Sequence, residues 1–242
     1  MILYGANAVR EALRGRRRVL RLWAADEELA GMARSLGAPE PVRVVAAPEL
    51  ERLSGSAHHQ GLVAEVEPYP YADAAALMKP EDALVVALDQ VQDPQNLGAV
   101  ARSAECAGAT GIVLPERRAA EVTPAVSRAS AGAVEHLAVA RVRNLAEYLA
   151  EAKQGGAWVY GAQAGAPTAY TDVDWRGRVV IVLGSEGRGI RPRVRSMCDD
   201  LVSLPVRGRI DSLNVSAAAA VLLYEAARSR ASAGAGTLDK ST

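Results

Sequence analysis

The 242-residue chain contains no phenylalanine, and aromatic residues make up 4% of it. Ala, Val and Leu must therefore fill the interior, which favours close-packed helices and valine-rich strands. There are two cysteines, Cys106 and Cys198, with no CxxC and no metal-ligand spacing. That pattern argues against a disulfide framework and gives no reason to expect a metal. No apolar run reaches the roughly 18–20 residues that span a bilayer, and the N-terminus lacks a signal-peptide apolar segment. These absences predict a soluble, cytoplasmic protein without membrane contact. Formal net charge is zero, so the field of the whole chain announces no polyanionic partner.

Charge is instead local. Lysine accounts for three of the 28 basic residues (Lys79, Lys153, Lys240), and the remainder are arginine. So general a bias reads as composition before it reads as a site. Residues 10–21, REALRGRRRVLR, nonetheless hold six arginines against one glutamate. Arg14, Arg16, Arg17 and Arg18 are candidates for phosphate contact, with surface solvation as the plainer alternative.

Elements alternate along residues 1–66. The pattern gives a helix at 6–13, a strand at 19–24, a helix at 27–36, a strand at 42–46, a short helix after Pro48 and a strand at 61–66. Residues 67–82 (EPYPYADAAALMKPED) carry three prolines and read as a semi-rigid connector. From residue 83 to 230 strand and helix alternate again. Runs such as VVIVL are apolar on both faces, as in the central strands of a parallel sheet. The expected fold class is therefore α/β, a small N-terminal α/β unit followed by a larger one with a mostly parallel sheet. The small, polar residues 231–242 are expected to fray.

Two segments of the larger unit carry chemistry. After the strand LVVAL, Asp93 suits an N-cap and Pro94 the first helical position. Asn96 then lies in the first turn, and Gly98 and Arg102, four apart, share a face. A glycine inside a helix costs about 1 kcal/mol relative to alanine. Close approach of a ligand or a second chain would justify it, but so would packing, and Arg102 could equally form a surface ion pair. The second segment follows the strand VVIVL with Gly184-Ser185-Glu186-Gly187-Arg188-Gly189. Its glycines run GxxGxG, not the GxGxxG of a dinucleotide fingerprint, which disfavours a nicotinamide enzyme. Further on, Leu204-Pro205 precedes a basic loop and Asp211-Ser212-Leu213-Asn214-Val215-Ser216. Asp211 or Ser212 can cap the long Ala-rich helix that follows, and its start offers unpaired N–H donors.

Together these residues resemble the SpoU (TrmH-like) branch of the knotted RNA 2′-O-ribose methyltransferases. Asn96-x-Gly98-x-x-x-Arg102 is similar to that family's first motif and Leu183–Gly187 to its second. Leu204-Pro205 with Ser212–Ser216 is similar to its third. In the N-terminal unit, Tyr4-Gly5-x-x-Ala8-Val9-x-Glu11-Ala12-Leu13 and His59-Gln60-Gly61 resemble the ribosomal-protein-like substrate-binding domain of the RlmB-like subgroup. That subgroup methylates a guanosine of 23S rRNA.

The resemblance implies a trefoil knot at the C-terminus, S-adenosylmethionine (SAM) as cofactor, and a homodimer whose active site draws on both subunits. It implies that Gly184, Leu204 and Leu213 line the cofactor pocket through backbone groups, with Ser185, Gly189 and Ser216 beside them. Asn96, Arg102, Glu186, Ser212 and Asn214 would form the polar catalytic cluster, with the Asn96–Arg102 segment reaching the ribose and phosphate from the partner subunit.

Chemistry then limits the roles. A guanidinium stays protonated, so Arg102 suits phosphate positioning and charge stabilisation better than proton removal. Glu186 suits orientation. His58, His59 and His136 lie outside the motifs, and His59 is expected to shape the turn before Gly61. Substrates compatible with the motifs are large-subunit rRNA or a ribosome assembly intermediate, tRNA, or another rRNA site of the antibiotic-resistance type. A non-catalytic RNA-binding relative is a further alternative, disfavoured by the intact polar set.

Overall fold

A computed structural model describes residues 1–235 of the chain. The N-terminal unit comprises β1 (Ile2–Tyr4), α1 (Ala6–Arg14), β2 (Val19–Ala24), α2 (Glu27–Ser35), β3 (Arg43–Val44), α3 (Ala47–Ser54) and β4 (Leu62–Val66). Its sheet runs β1-β4-β2-β3, antiparallel except between β2 and β3. Local chemistry sets the element ends. Asp26 caps α2 by accepting the Leu29 N–H at 2.8 Å, and Gly55 ends α3 at φ 68°. His59 shapes its turn as expected, its Nδ1 accepting the Gly61 N–H at 3.1 Å. The neighbouring Gln60 Oε1 accepts the Ala6 N–H at 3.0 Å and so holds the start of α1.

The larger unit contains β5 (Leu84–Asp89), α4 (Pro94–Cys106), β6 (Gly111–Pro115), α5 (Pro124–Ala129), β7 (Ala138–Val142), α6 (Leu145–Gln154), β8 (Trp158–Ala162), β9 (Thr168–Ala169), β10 (Val179–Gly184), α7 (Pro192–Arg195), β11 (Asp200–Ser203) and α8 (Val215–Ala235). Its sheet has the order β7-β6-β5-β10-β8-β11-β9, with every neighbouring pair parallel. Strand alternation divides the core in two. Leu84, Val86, Leu88, Val179, Ile181 and Leu183 face α4, α5 and α8, whereas Val85, Ala87, Val180 and Val182 face α6 and α7. Both faces are covered, as parallel strands require. Strand order reverses at β5, with β6 and β7 on one side and β10, β8 and β11 on the other, so the carboxyl ends of β5 and β10 open onto the kind of crevice where α/β proteins bind ligands.

Three expectations need correction. Residues 67–82, expected as a semi-rigid connector, are fastened to the larger unit. Tyr69 donates its hydroxyl to the Val134 and Leu137 carbonyls at 2.8 and 3.1 Å, and the Ala72 N–H bonds to Val139 O at 2.8 Å. A 3-10 turn at Ala75–Met78 then buries Leu77. Prolines made the segment look like a spacer, but its tyrosines and alanines strap it to β7. Residues 231–235 continue α8, so fraying does not begin at Ala231, and residues 236–242 of the expected tail lie outside the described residues. Arg17 is not an RNA contact. It is 5% exposed, and its Nε donates to Glu135 Oε2 at 2.9 Å while Nη2 contacts Oε1. The guanidinium also sits 5.3 Å from the Tyr69 ring centroid, and burial reinforced by Glu135 raises the tyrosine pKa well above its usual value.

Arg17–Glu135 therefore joins the two units at a close-packed seam. His136 meets Glu11 at 2.8 Å beside it, and a Cβ on Gly132 would lie 2.5 Å from the Glu11 Cβ. Removing one partner of a buried ion pair strands the other charge, at a cost of about 3–5 kcal/mol. Arg17→Met should lower the stability of the full chain to urea by that amount. A shift below about 1 kcal/mol, the level of a solvent-screened pair, would show the seam to be wet.

Candidate active site

The site forms where β5 and β10 end side by side, with Asp89 in register with Gly184. Beyond Gly184 the chain turns back on itself: Ser185 bridges to Gly189, whose N–H bonds to Ser185 O at 2.9 Å. A Cβ on Gly184 would stand 2.0 Å from the Gly189 carbonyl carbon, so no side chain fits at this crossing. Gly187 and Gly189 take φ of 77° and 65°, which only glycine adopts freely. Asp89, fully buried, fastens the far side of the loop. It accepts the Arg191 N–H and Nε–H, both at 2.8 Å, and pairs with the guanidinium at 2.6 Å.

The loop carries Glu186 to α4 and α8. Asn96 Nδ2 donates to Glu186 Oε1 at 3.0 Å, and Asn214 Nδ2 donates to the same oxygen at 2.6 Å and to Asn96 Oδ1 at 2.9 Å. Glu186 Oε2 accepts no hydrogen bond among the described residues. Three of the five expected catalytic residues thus close one ring of hydrogen bonds. Asn214, not Asp211 or Ser212, caps α8, its Oδ1 accepting the Ser216 N–H at 2.8 Å and the Ser216 hydroxyl at 2.6 Å. The cap shift follows from use of the Asn214 amide in the ring, which fixes its oxygen over the helix end.

The ring stands between two cavities. The larger, about 770 Å³, is lined by Leu183, Gly184, Ser185, Gly189, Leu204, Ser212 and Leu213, and by residues 162–165. The smaller, about 640 Å³, is lined by Gln90, Gln92, Asp93, Asn96, Arg118 and Arg188. Ser185, Glu186, Arg188 and Val215 border both. Each volume lies within the range of about 300–1,000 Å³ typical of small-molecule sites.

The expected cofactor residues Gly184, Ser185, Gly189, Leu204 and Leu213 therefore share one cavity. Ser216 does not line it, because its polar atoms are spent on Asn214. Ser212 reaches that cavity but not the ring; its hydroxyl bonds to Asp211 at 3.3 Å in an exposed loop. Arg102 is exposed and makes no hydrogen bond or ion pair among the described residues: six residues beyond Asn96, it lies about 120° around α4. Asn96, by contrast, bonds within its own chain, so the expectation that the whole Asn96–Arg102 segment acts from a partner subunit fails for Asn96. Gly98 packs, since a Cβ there would meet the Ala129 Cβ at 2.4 Å. Asp89, Arg191, Gln90 and Arg118 escaped sequence reasoning because their roles depend on loop conformation, which no spacing records.

The comparisons with known proteins agree with this geometry. Residues 83–224 match the SpoU rRNA Methylase family, and residues 2–72 match the RNA 2′-O ribose methyltransferase substrate-binding family. The chain belongs to the SpoU methylase family, within the trefoil-knotted SPOUT class of RNA methyltransferases. A putative TrmH family tRNA/rRNA methyltransferase of Bacillus subtilis is 40% identical over 93% of this chain and 94% of its own. The SpoU methyltransferase AviRb of Streptomyces viridochromogenes, solved in complex with AdoMet, superposes with a TM-score of 0.81 at 30% identity. The superposition covers 96% of this chain and 91% of that one. A crystal structure of an RNA 2′-O ribose methyltransferase aligns at TM-score 0.77 and 28% identity, over 96% of this chain and 89% of its own.

The crossing at Gly184 yields a test that needs no ligand. Gly184→Ala should destabilise the protein by about 1–3 kcal/mol, the usual cost of overpacking. Amide exchange across residues 185–191 should accelerate in the same variant. An unchanged urea midpoint together with unchanged exchange would mean that the loop gives way at no cost.

Proposed function

We propose that this protein transfers a methyl group from SAM to a ribose 2′-hydroxyl of RNA, with a guanosine of large-subunit rRNA as the favoured target. The Asn96–Glu186–Asn214 ring carries the reading, because it places an oriented carboxylate at the wall shared by two cavities. The larger cavity fits the cofactor. Its loop is stripped of side chains at Gly184, Gly187 and Gly189, leaving backbone groups to meet a nucleoside, and Leu204 and Leu213 supply apolar walls. When bound, SAM supplies a methyl group on a positively charged sulfur.

The chain's own residues then have separable tasks. A ribose hydroxyl is a weak acid, so it needs orientation and stabilisation of developing negative charge. Glu186 Oε2 accepts the hydroxyl hydrogen bond, while the two asparagines hold Oε1 and stop the carboxylate from turning. Arg102, permanently charged, stabilises the oxygen and the adjoining phosphate. Its exposed place on α4 fits action in a homodimer, on the ring of a second copy. The neighbouring helix α8 supports this, since it packs on α4 and leaves Val221 and Tyr224 40% and 55% exposed. In the N-terminal unit, Arg14, Arg16 and Arg18 remain exposed and are the arm that follows the RNA backbone. The reading places the protein in the cytoplasm, where rRNA, tRNA and assembly intermediates are all available to it.

Labelled SAM should transfer label to the ribose of unmodified large-subunit rRNA, located by nuclease digestion and mass spectrometry. Label on a base would refute ribose chemistry, and label on tRNA alone would redirect the target. Arg102→Ala and Glu186→Ala should each abolish transfer while SAM still binds. Mixed and allowed to exchange, these two variants should regain about a quarter of wild-type activity, because half the dimers then hold one intact composite site. No recovery would place Arg102 in cis.

A separate measurement addresses the arginine arm. Replacing Arg14, Arg16 and Arg18 with alanine should weaken RNA binding and flatten its dependence on salt, since each lost phosphate contact releases fewer counterions. SAM affinity should not change. An unaltered salt slope would return these arginines to surface solvation.

A further inference from the structure

We propose that Arg118 is a substrate-binding residue that grips a phosphate of the RNA strand in the smaller cavity, across the shared wall from the cofactor cavity. The inference rests on the RNA-methylation reading above and adds to it a contact outside the three motifs.

Four observations lead to it. First, Arg118 lines the cavity whose wall includes Asn96 and Glu186, so a group bound there adjoins the ring. Second, its guanidinium is exposed and makes no ion pair or hydrogen bond among the described residues. The acidic groups of the same cavity are held away from Arg118 by other contacts: Asp93 caps α4 by accepting the Gln95 N–H at 2.9 Å, and one oxygen of Glu186 accepts from two amides. Third, Arg118 holds a backbone φ of 59°, and Gln90 across the same cavity holds 63°. Residues with side chains seldom adopt this region, and where they do the surrounding structure must enforce it. Here such residues come from two different loops and line one cavity.

The fourth observation is what enforces that conformation. The Glu116 N–H bonds to Val142 O at 2.9 Å and the Ala120 N–H to Val91 O at 2.9 Å, so the turn is fastened on both sides of Arg118. The Val122 N–H then donates to the Tyr71 hydroxyl at 3.0 Å. Arg141 locks the same loop, donating to Glu116 O at 2.8 Å and pairing with Glu121 at 3.0 Å. A cation presented on so rigid a turn is pre-organised, and less freedom is lost when it binds.

The ligand follows from charge and setting. A fork of donors without a carboxylate partner, near the N-terminus of a 13-residue helix, suits an anion, and on an RNA strand that anion is a phosphodiester. Arg188 borders both cavities, so its removal would disturb the cofactor as well. Arg118 borders one, which makes it the informative residue to change.

The experiment uses the full chain, SAM, and an unmodified transcript of large-subunit rRNA as substrate, with the variants Arg118→Gly and Arg118→Lys. Glycine removes the guanidinium but tolerates the positive φ, and an unchanged thermal midpoint will verify that the variant folds. Arg118→Gly should raise KM for RNA by about tenfold, with kcat within about twofold and SAM affinity by calorimetry unaltered. The slope of log KM against log salt should fall by about one phosphate contact. Arg118→Lys should restore most of the salt slope and part of KM. An active wild type whose Arg118→Gly variant keeps both KM and slope would overturn this proposal alone. So would a variant that loses kcat with KM intact. A wild type that methylates no RNA would overturn the parent reading and this one together.

Discussion

The structure of the site depends on one steric fact: nothing larger than hydrogen fits on Gly184. The chain leaves the central strand β10, folds back at Ser185–Gly189, and passes its own backbone within van der Waals range of that position. Every later feature inherits the crossing. It exposes backbone groups to the larger cavity, and it swings Glu186 away from its strand towards α4 and α8. The pair between buried Asp89 and exposed Arg191 closes the other end of the loop. Desolvating Asp89 is costly, but here two hydrogen bonds and an ion-pair contact from one residue offset it, the guanidinium supplying one hydrogen bond and the ion pair. The loop is therefore pinned at a point of contact and at a point of charge, and Glu186 has little freedom between them.

Helix α4 divides its labour by direction. Its first turn faces the ring through Asn96, the next face touches α5 through Gly98, and Arg102 points to solvent. The 3.6-residue period sets these directions: positions two and six past Asn96 lie roughly 200° and 240° around the helix, so both turn away from Asn96, with Arg102 one turn further along the axis than Gly98. The same geometry explains how one short motif can serve a single chain and also ask for another. Asn96 is satisfied within the ring, whereas Arg102 makes no hydrogen bond or ion pair among the described residues.

How much of this was legible follows from the same distinction between local and distant causes. Strand VVIVL and the Asp93–Pro94 start of α4 were readable because each depends on its own residues: an apolar run, a cap, and Pro at the first position. Asn96, Glu186 and Asn214 could be named because their motifs recur in a known family, but their mutual bonds could not, since 90 and 118 residues separate them. The errors have the opposite origin. Arg17 read as an exposed member of a basic run, and only the folded seam brings Glu135 beneath it. Residues 67–82 read as a spacer because proline reports on local stiffness and says nothing about what the flanking tyrosines will touch. Two-residue β9 and three-residue β1 are too short to carry a pattern.

The seam also bears on how the N-terminal unit can serve RNA. A unit joined by a flexible connector would search for its target and contribute mainly through effective concentration. Here the connector is strapped to β7, the Arg17–Glu135 pair is buried, and Gly15 and Gly132 let the two units approach more closely than side chains would allow. Exposed Arg14, Arg16 and Arg18 are therefore carried on a surface whose orientation to the Glu186 ring is set by folding. A ligand that touches both must match that fixed spacing, so discrimination among RNAs falls to the shape of the substrate more than to the strength of any one contact. On the proposed ribose chemistry the orienting groups at the ring add little to that choice, because a ribose hydroxyl is the same on every nucleotide.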